Sequence, residues 1–240
     1  VPLIVTSCRE LAPRARRIWF RGNLTGSSTL PAAYLSLWFS EPTEGRGDRA
    51  GRSDKRTFTA RWLDLPGGSI TVDFVLHGSG PAASWAASAV PGDRIWAGET
   101  RGGYSVPPPG SHLVLVGDDT AMPAIGAIAE ASHDSVHITA VIEVIDEMDE
   151  RPVSDQRLVD PIWVHRGDDP ERAGLPTLGL LEDLSVSQDA YWWIAGEREA
   201  IRAMRDVVID RGAPRDRLSL NAHWRLRPTD PRRERPDVIA

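Results

Sequence analysis

Hydrophobic and polar positions in the first hundred residues alternate with a period of two, in short runs broken by glycine, proline and charged residues. The runs Ile18 to Phe20, Tyr34 to Phe39, Thr57 to Trp62, Ser69 to Leu76 and Arg94 to Ala97 read as β-strands. In Tyr34 to Phe39, Leu35, Leu37 and Phe39 share one face while Tyr34, Ser36 and Trp38 share the other. Short strands at this spacing predict a small antiparallel barrel. The segment EPTEGRGDRAGRSDK, Glu41 to Lys55, is polar, glycine-rich and aperiodic, and reads as an exposed, mobile loop.

The pattern changes after Pro107-Pro108-Pro109, which can form only an extended connector. The expected domains are therefore 1–108, a β-barrel, and 109–240, an α/β unit. In the second, strands at His112 to Val116, Val136 to Val144, Ile162 to His165, Tyr191 to Ala195 and Leu218 to Asn221 alternate with helices. The helices fall at about Ala121 to Ala131, Leu178 to Leu184 and Glu197 to Arg211. The last of these places Ile201, Met204 and Val208 on one face and stops at Gly212. Buried strands alternating with helices predict a doubly wound α/β domain whose ligands lie at the carboxyl ends of its strands.

Composition narrows the function. With 41% hydrophobic residues the chain can build real cores, and a formal charge of −6 argues against nucleic acid as a partner. Lys55 is the only lysine, and every other strong base is arginine, which binds oxyanions bidentately, so a local arginine cluster could matter on an acidic protein. The single cysteine, Cys8, excludes an internal disulfide and any cysteine-built metal site; electron chemistry would have to come from an organic cofactor. No apolar run approaches membrane-spanning length, and VPLIVTSCRE lacks the basic flank and cleavage site of a signal peptide. A cytoplasmic protein is expected.

The most informative stretch is Asp73 to Ala86, DFVLHGSGPAASWA. A strand runs into a turn of small residues whose backbone amides a phosphate could approach, and Ser84 can add a hydroxyl donor. The bland alternative is a strand, a tight turn and a helix start, with Trp85 as core filler. Two strand ends in the second domain carry similar turns: Val116 leads into GDDTAMPAI, and Ile194 leads into Ala195-Gly196-Glu197. Neither contains a G-x-G-x-x-G run or a P-loop. Helix capping alone could account for Asp118 and Asp119.

Four motifs, in order and in the matching domains, give the chain a resemblance to the siderophore-interacting proteins, the FAD-dependent ferric-siderophore reductases of the ferredoxin-reductase superfamily. Arg56 to Arg61 (RTFTAR) resembles that family's R-x-Y-T-x-R. Asp73 to Ala86 resembles D-F-V-L-H-G-x-G-P-A-x-x-W-A, Gly117 to Ala124 resembles G-D-E-T-A-L-P-A, and Trp193 to Glu197 (WIAGE) resembles W-x-A-G-E. The resemblance implies FAD, with Arg56 on its pyrophosphate, Phe58 packed on a flavin ring and Thr59 hydrogen-bonded to it. It also implies that His77, Gly80, Ala82, Ser84 and Trp85 hold the phosphates and the rest of the dinucleotide, and that Thr120 reaches in from the second domain.

The resemblance further implies reduction of a ferric siderophore by NADH or NADPH, with no protein metal site. The sequence departs from the family at Phe58, where tyrosine is usual, and at His223-Trp224-Arg225-Leu226-Arg227, where Y-W-R-x-G is usual. Arg225 and Arg227 are the candidate docking patch for an anionic ferric siderophore; the alternative is a solvated charged tail. Two other functions stay open: an FAD protein diverted to a biosynthetic step, and a non-redox carrier of a ferric complex.

Overall fold

The computed structural model describes residues 1–26, 28–41, 54–76 and 80–226. The first sheet is antiparallel, built from β1 (Pro2–Ala12), β2 (Ala15–Arg21), β3 (Ala33–Trp38), β4 (Arg56–Thr59), β5 (Trp62–Asp64), β6 (Ser69–Val75), β7 (Arg94–Ala97) and the two-residue β8 (Arg101–Gly102). Pairing runs β4-β3-β7-β1-β2-β6-β5, with β8 also on β3. Alternation selects the core: Leu3 and Val5, Ile18 and Phe20, Leu35 and Leu37, and Ile70, Val72 and Phe74 all enter one buried cluster. Helix α1 (Pro81–Ser88) follows β6 and lays Ala86 against this core.

Among the described residues no ladder closes this sheet into a complete barrel. Its two edges, β4 and β5, are instead consecutive in the chain. Ala60 and Arg61 bridge them, their N–H groups donating to Ala33 O and Thr71 O, each at 2.8 Å. The expected strand Thr57 to Trp62 therefore divides into two. The expected loop Glu41 to Lys55 lies largely outside the described residues. Strand β1, which the sequence pattern does not announce, fills the middle of the sheet between β7 and β2.

The second sheet is parallel, with β9 (His112–Asp118), β10 (His137–Val144), β11 (Ile162–His165), β12 (Tyr191–Glu197) and β13 (Leu218–Trp224) in the order β11-β10-β9-β12-β13. Helix α2 (Met122–Ala131) covers one face, where Leu113 and Leu115 point. Helices α3 (Leu175–Asp183) and α4 (Arg198–Asp210) cover the other, where Val114 and Val116 point. Both faces are thus buried, which is why β9 reads as a continuous apolar run. The strand order reverses between β9 and β12, and a crevice opens at their carboxyl ends.

Arginines of the first sheet tie the two units together. Arg17 holds Asp73 through Nε and Nη2 at 2.6 and 2.8 Å and reaches Asp155 at 2.7 Å. Arg61, 1% exposed, grips Glu130 of α2 through both carboxylate oxygens and approaches Asp155 at 3.4 Å. The Trp62 ring lies 4.5 and 4.4 Å from the Arg17 and Arg61 guanidiniums, and its indole N–H donates to Glu130 Oε2 at 3.1 Å. Arg14 adds a bond to Asp149 at 2.9 Å and another to Asp146. Gly126 of α2 is required here, because a Cβ would meet Val153 O at 2.3 Å and the Arg61 guanidinium at 3.1 Å. The charges of Arg17, Arg61 and Glu130 are tolerated away from water because each meets more than one partner, although Arg61 Nε is left without one.

Candidate functional site

A cleft of about 800 Å³ lies between the two sheets, in the size range of small-molecule sites. The first sheet contributes Tyr34, Arg56, Phe58, Thr59 and Asp73, and the start of α1 contributes Gly80, Ala82 and Ala83. The second contributes Thr120, Pro123, Trp193 and the run Leu220 to Trp224. Its walls mix apolar side chains such as Phe58, Pro123 and Trp193 with polar ones such as Arg56, Asp73 and His223.

Strand β4 places Arg56, Phe58 and Thr59 on the cleft. Arg56 is exposed, and its Nη1 donates to Lys55 O at 2.8 Å. Phe58 packs on Phe74 with ring centroids 4.7 Å apart and meets Phe39 edge-on at 6.2 Å. Trp85 stands behind this wall, stacked on Phe20 at 6.2 Å and tilted against Phe39 and Phe74 at 5.6 and 6.0 Å. Its place is in the aromatic cluster that backs Phe58, outside the cleft lining. Ser84 is exposed and also outside the lining. His77 lies outside the described residues.

Helix α1 begins at the cleft with Gly80 as N-cap and no side-chain cap. Among the described residues a Cβ on Gly80 would meet no atom within 4 Å, so their packing does not demand glycine there. The absence of bulk leaves room in the cleft for a ligand to approach the uncapped amides. Helix α2 likewise has no side-chain cap, but α3 and α4 of the second unit differ. Glu197 caps α4 itself, accepting from Glu199 N and Ala200 N at 2.5 and 2.9 Å, and takes Leu226 N at 3.0 Å. Glu143 accepts from Gly174 N at 2.8 Å and Thr177 Oγ1 at 2.7 Å at the start of α3. The chain's own carboxylates occupy these two helix starts, whereas α1 offers its amides outward.

Opposite Phe58, Asp118 organises the crevice. One carboxylate oxygen accepts from Thr120 N at 2.9 Å and Thr120 Oγ1 at 2.6 Å, and the other accepts from Trp224 Nε1 at 2.7 Å. His223 Nδ1 lies 3.2 Å from Thr120 O and 3.3 Å from Thr120 Oγ1, and its ring meets Trp193 edge-on at 6.3 Å. His223 is exposed on the cleft side; where its ring meets the walls, desolvation lowers its pKa, against the opposite pull of Asp118 and the Thr120 carbonyl. Asp119 turns away from the cleft into the protein. Burial, then the charge of Asp118, push it up to about 7 against Arg166 and Arg151.

Of the residues expected from sequence, the structure thus brings Arg56, Phe58, Thr59, Gly80, Ala82 and Thr120 to one cleft. Arg225 is exposed just beyond Trp224, and Arg227 lies outside the described residues. Sequence reasoning did not anticipate Trp193, Asn221 and Asp73 as wall residues, nor Tyr34, Gly102 and Gly103 at the far end. Trp193 and Asp73 stand inside quoted motifs; the Gly102-Gly103 pair, both at positive φ, was the available signal for the rest. Among the described residues no cluster of histidine, cysteine and acidic side chains could hold a metal ion.

An antiparallel β-unit meeting a five-stranded parallel sheet across a ligand cleft is the ferredoxin-reductase-like architecture. Within it, residues 30–103 match the siderophore-interacting FAD-binding domain and residues 110–227 match the siderophore-interacting protein family. A siderophore utilization protein from T. fusca has a similar structure, 30% identical with a TM-score of 0.77, covering 94% of this chain and 92% of that one. The chain belongs to the siderophore-interacting protein family. Among curated relatives, the mycobactin import ATP-binding/permease protein IrtA of Mycolicibacterium smegmatis is 34% identical over 81% of this chain and 22% of its own length. The ferric vibriobactin reductase ViuB of Vibrio cholerae is 29% identical over 71% of this chain and 64% of its own. The chain thus spans less than two thirds of either relative.

Proposed function

We propose that this protein is an FAD-dependent oxidoreductase that takes electrons from NADH or NADPH and reduces a ferric siderophore, releasing Fe(II). The observation that carries this reading is the cleft itself: an uncapped helix start beside Gly80, an arginine at its rim and a phenylalanine wall, all within the segment that matches an FAD-binding domain. Residues 1–108 serve as the flavin unit and 109–240 as the donor unit. FAD supplies the redox chemistry, accepting an electron pair from the nicotinamide and passing single electrons to Fe(III).

The chain's own groups bind and orient. Arg56 pairs with pyrophosphate, and the amides at Gly80 and Ala82 receive the remaining phosphate oxygens. Phe58 packs on the flavin ring, kept in place by Trp85 through Phe39 and Phe74; Thr59 donates a hydrogen bond from one side, and the Thr120 hydroxyl oxygen, whose proton goes to Asp118 Oδ1, accepts one from the other. The apolar walls exclude water. Arg225 and Arg227 form the docking patch for the anionic ferric complex, whose hard oxygen ligands hold Fe(II) less tightly than Fe(III). A nicotinamide donor makes the cytoplasm the working compartment; among the described residues no helix is long and apolar enough to cross a membrane.

Anaerobic mixing tests the reading. The purified protein should be yellow and release FAD; NADH or NADPH should bleach it, and a ferric siderophore should restore the colour. Colourless protein that cannot be reconstituted with FAD sinks the proposal. A flavin that neither nicotinamide bleaches points to the diverted enzyme, a reading favoured by the one family tyrosine that has become a cleft-facing histidine, His223.

A further inference from the structure

His223 stands in the wall of the cleft as a side chain whose chemistry the binding roles above do not use. Among the described lining residues the other charged groups are Arg56 and Asp73. Arginine keeps its charge throughout the physiological range, and both oxygens of Asp73 are committed to Arg17. Of these lining groups only the imidazole changes charge near neutral pH; Asp119, held up to about 7, is buried outside the cleft lining.

The surroundings define its state. Thr120 O can only accept, so the proton of a neutral ring sits on Nδ1, facing that carbonyl at 3.2 Å. Nε2 then carries the lone pair, and no described residue is bonded to it. Behind Thr120 stands the Asp118 carboxylate, linked through the threonine hydroxyl at 2.6 Å and fixed from the other side by Trp224 Nε1. Strand β12 presents Trp193, which is uncharged, and the start of α2 presents Pro123 and Ala124. Arg225 lies two residues along the chain, and the carboxylate of Glu197 is turned to the α4 amides and Leu226 N. An imidazolium here has a carboxylate in its second layer to stabilise it. An uncharged ring has walls that favour it, consistent with its lowered pKa.

We infer that His223 is a proton-accepting residue of the cofactor cleft, neutral beside the oxidised flavin and protonated at Nε2 when the flavin carries the negative charge of an electron pair. The inference rests on the flavin reading of the cleft given above. The nicotinamide donor gives the electron pair together with its hydrogen, and the proton that His223 takes comes from solvent. When two equivalents of Fe(III) remove the electrons, the donor-derived hydrogen and the histidine proton both leave to solvent as protons, and no covalent bond to the protein forms at any stage.

Proton uptake coupled to two electrons changes the reduction equilibrium tenfold per pH unit, which is about 30 mV for a two-electron couple. The test is spectroelectrochemical titration of the FAD-loaded protein at intervals from pH 5.5 to 8.5, in the parent and in His223→Gln and His223→Tyr. Glutamine can still donate to Thr120 O, and tyrosine restores the residue usual in the family; neither takes up a proton in this range. The expected result is a segment in the parent whose slope is steeper by about 30 mV per pH unit than in either variant. A histidine that only shapes the wall changes FAD affinity or melting temperature and leaves three parallel lines, which overturns the inference. Parent protein that binds no FAD removes the flavin reading and this inference with it, whereas parallel lines from a yellow protein remove this inference alone.

Discussion

Arg61 and Glu130, 69 residues apart in sequence, meet through two parallel hydrogen bonds of 2.8 and 2.5 Å beneath the cleft. The second arginine of the RTFTAR motif therefore serves the junction between the two units, while the first, Arg56, serves the cleft. Burial would raise the Glu130 carboxyl, but the hydrogen bonds and charge of Arg61, with Asp155 N–H and the Ser154 hydroxyl, hold it down at about 2. Truncating Arg61→Ala leaves that carboxylate without its main partner and should cost roughly 3–5 kcal/mol in urea unfolding. The pair's contribution is complete above the unfolded carboxyl value of about 4.3 and should be lost as pH falls from there towards 2. A parent and a Glu130→Gln variant with identical acid limbs would show that the pair does not act this way.

Asp119 has the opposite sign. Its folded pKa of about 7 lies above the ordinary carboxyl value of 3.8, so the native state retains a proton that the unfolded chain releases, and stability falls as pH rises from about 4 to 7. Asp119→Asn should therefore raise the melting temperature at pH 8 and leave it nearly unchanged at pH 4. A variant stabilised equally at both pH values would show that charge at this position is not the cause.

Gly80 separates ligand demand from protein demand. With φ −67° and ψ 154° and no atom of the described residues near a Cβ, Gly80→Ala should fold with at most a small loss of stability from the poorer N-cap, yet bind FAD more weakly. Arg56→Ala should lower FAD affinity by about 1.5–3 kcal/mol, the worth of a charged hydrogen bond, with the fold intact because the side chain is exposed. Equilibrium FAD titration and thermal melts of both variants decide the matter. A lowered melting point with unaltered FAD affinity would make either residue structural.

Charge reversal at Arg225 and Arg227 should slow reoxidation of the reduced protein by an anionic ferric siderophore and leave reduction by nicotinamide nearly untouched. The effect should fade with added salt, because it acts through encounter. Stopped-flow traces of each half-reaction at two salt concentrations give the answer; a fall in both half-reactions together would place these arginines in the fold or the flavin site.

The second unit was legible almost strand by strand, because its buried parallel strands are apolar runs and its helices carry a 3.6-residue period. Helix α3 starts at Leu175, three residues before its expected onset, since Pro176 is accepted in the first turn. Strand β1 was illegible for a physical reason: its register shifts between Val5 and Ser7 and again between Glu10 and Ala12, which breaks the period of two. In the site, the motif glycine and the residues of β4 were readable because they lie together in sequence. The separate tasks of Arg56 and Arg61 were not, because a strand pattern names no partner 69 residues away. Trp85, quoted within a phosphate-binding motif, packs with Phe20, Phe39 and Phe74, so the motif carries a wall support as well as wall residues.

The arginine junction also limits how this chain can be recombined. Arg17 and Arg61 come from the β-unit, whereas Asp155 and Glu130 come from the other side. A chimera that grafts a foreign α/β half onto residues 1–108 inherits both guanidiniums but neither of those acids. Unless the graft brings carboxylates to the same two places, and a glycine where Gly126 lets the helix pass, the halves of such a hybrid should meet poorly even when each folds. The cleft they form together then loses its shape before any residue in its wall has been altered.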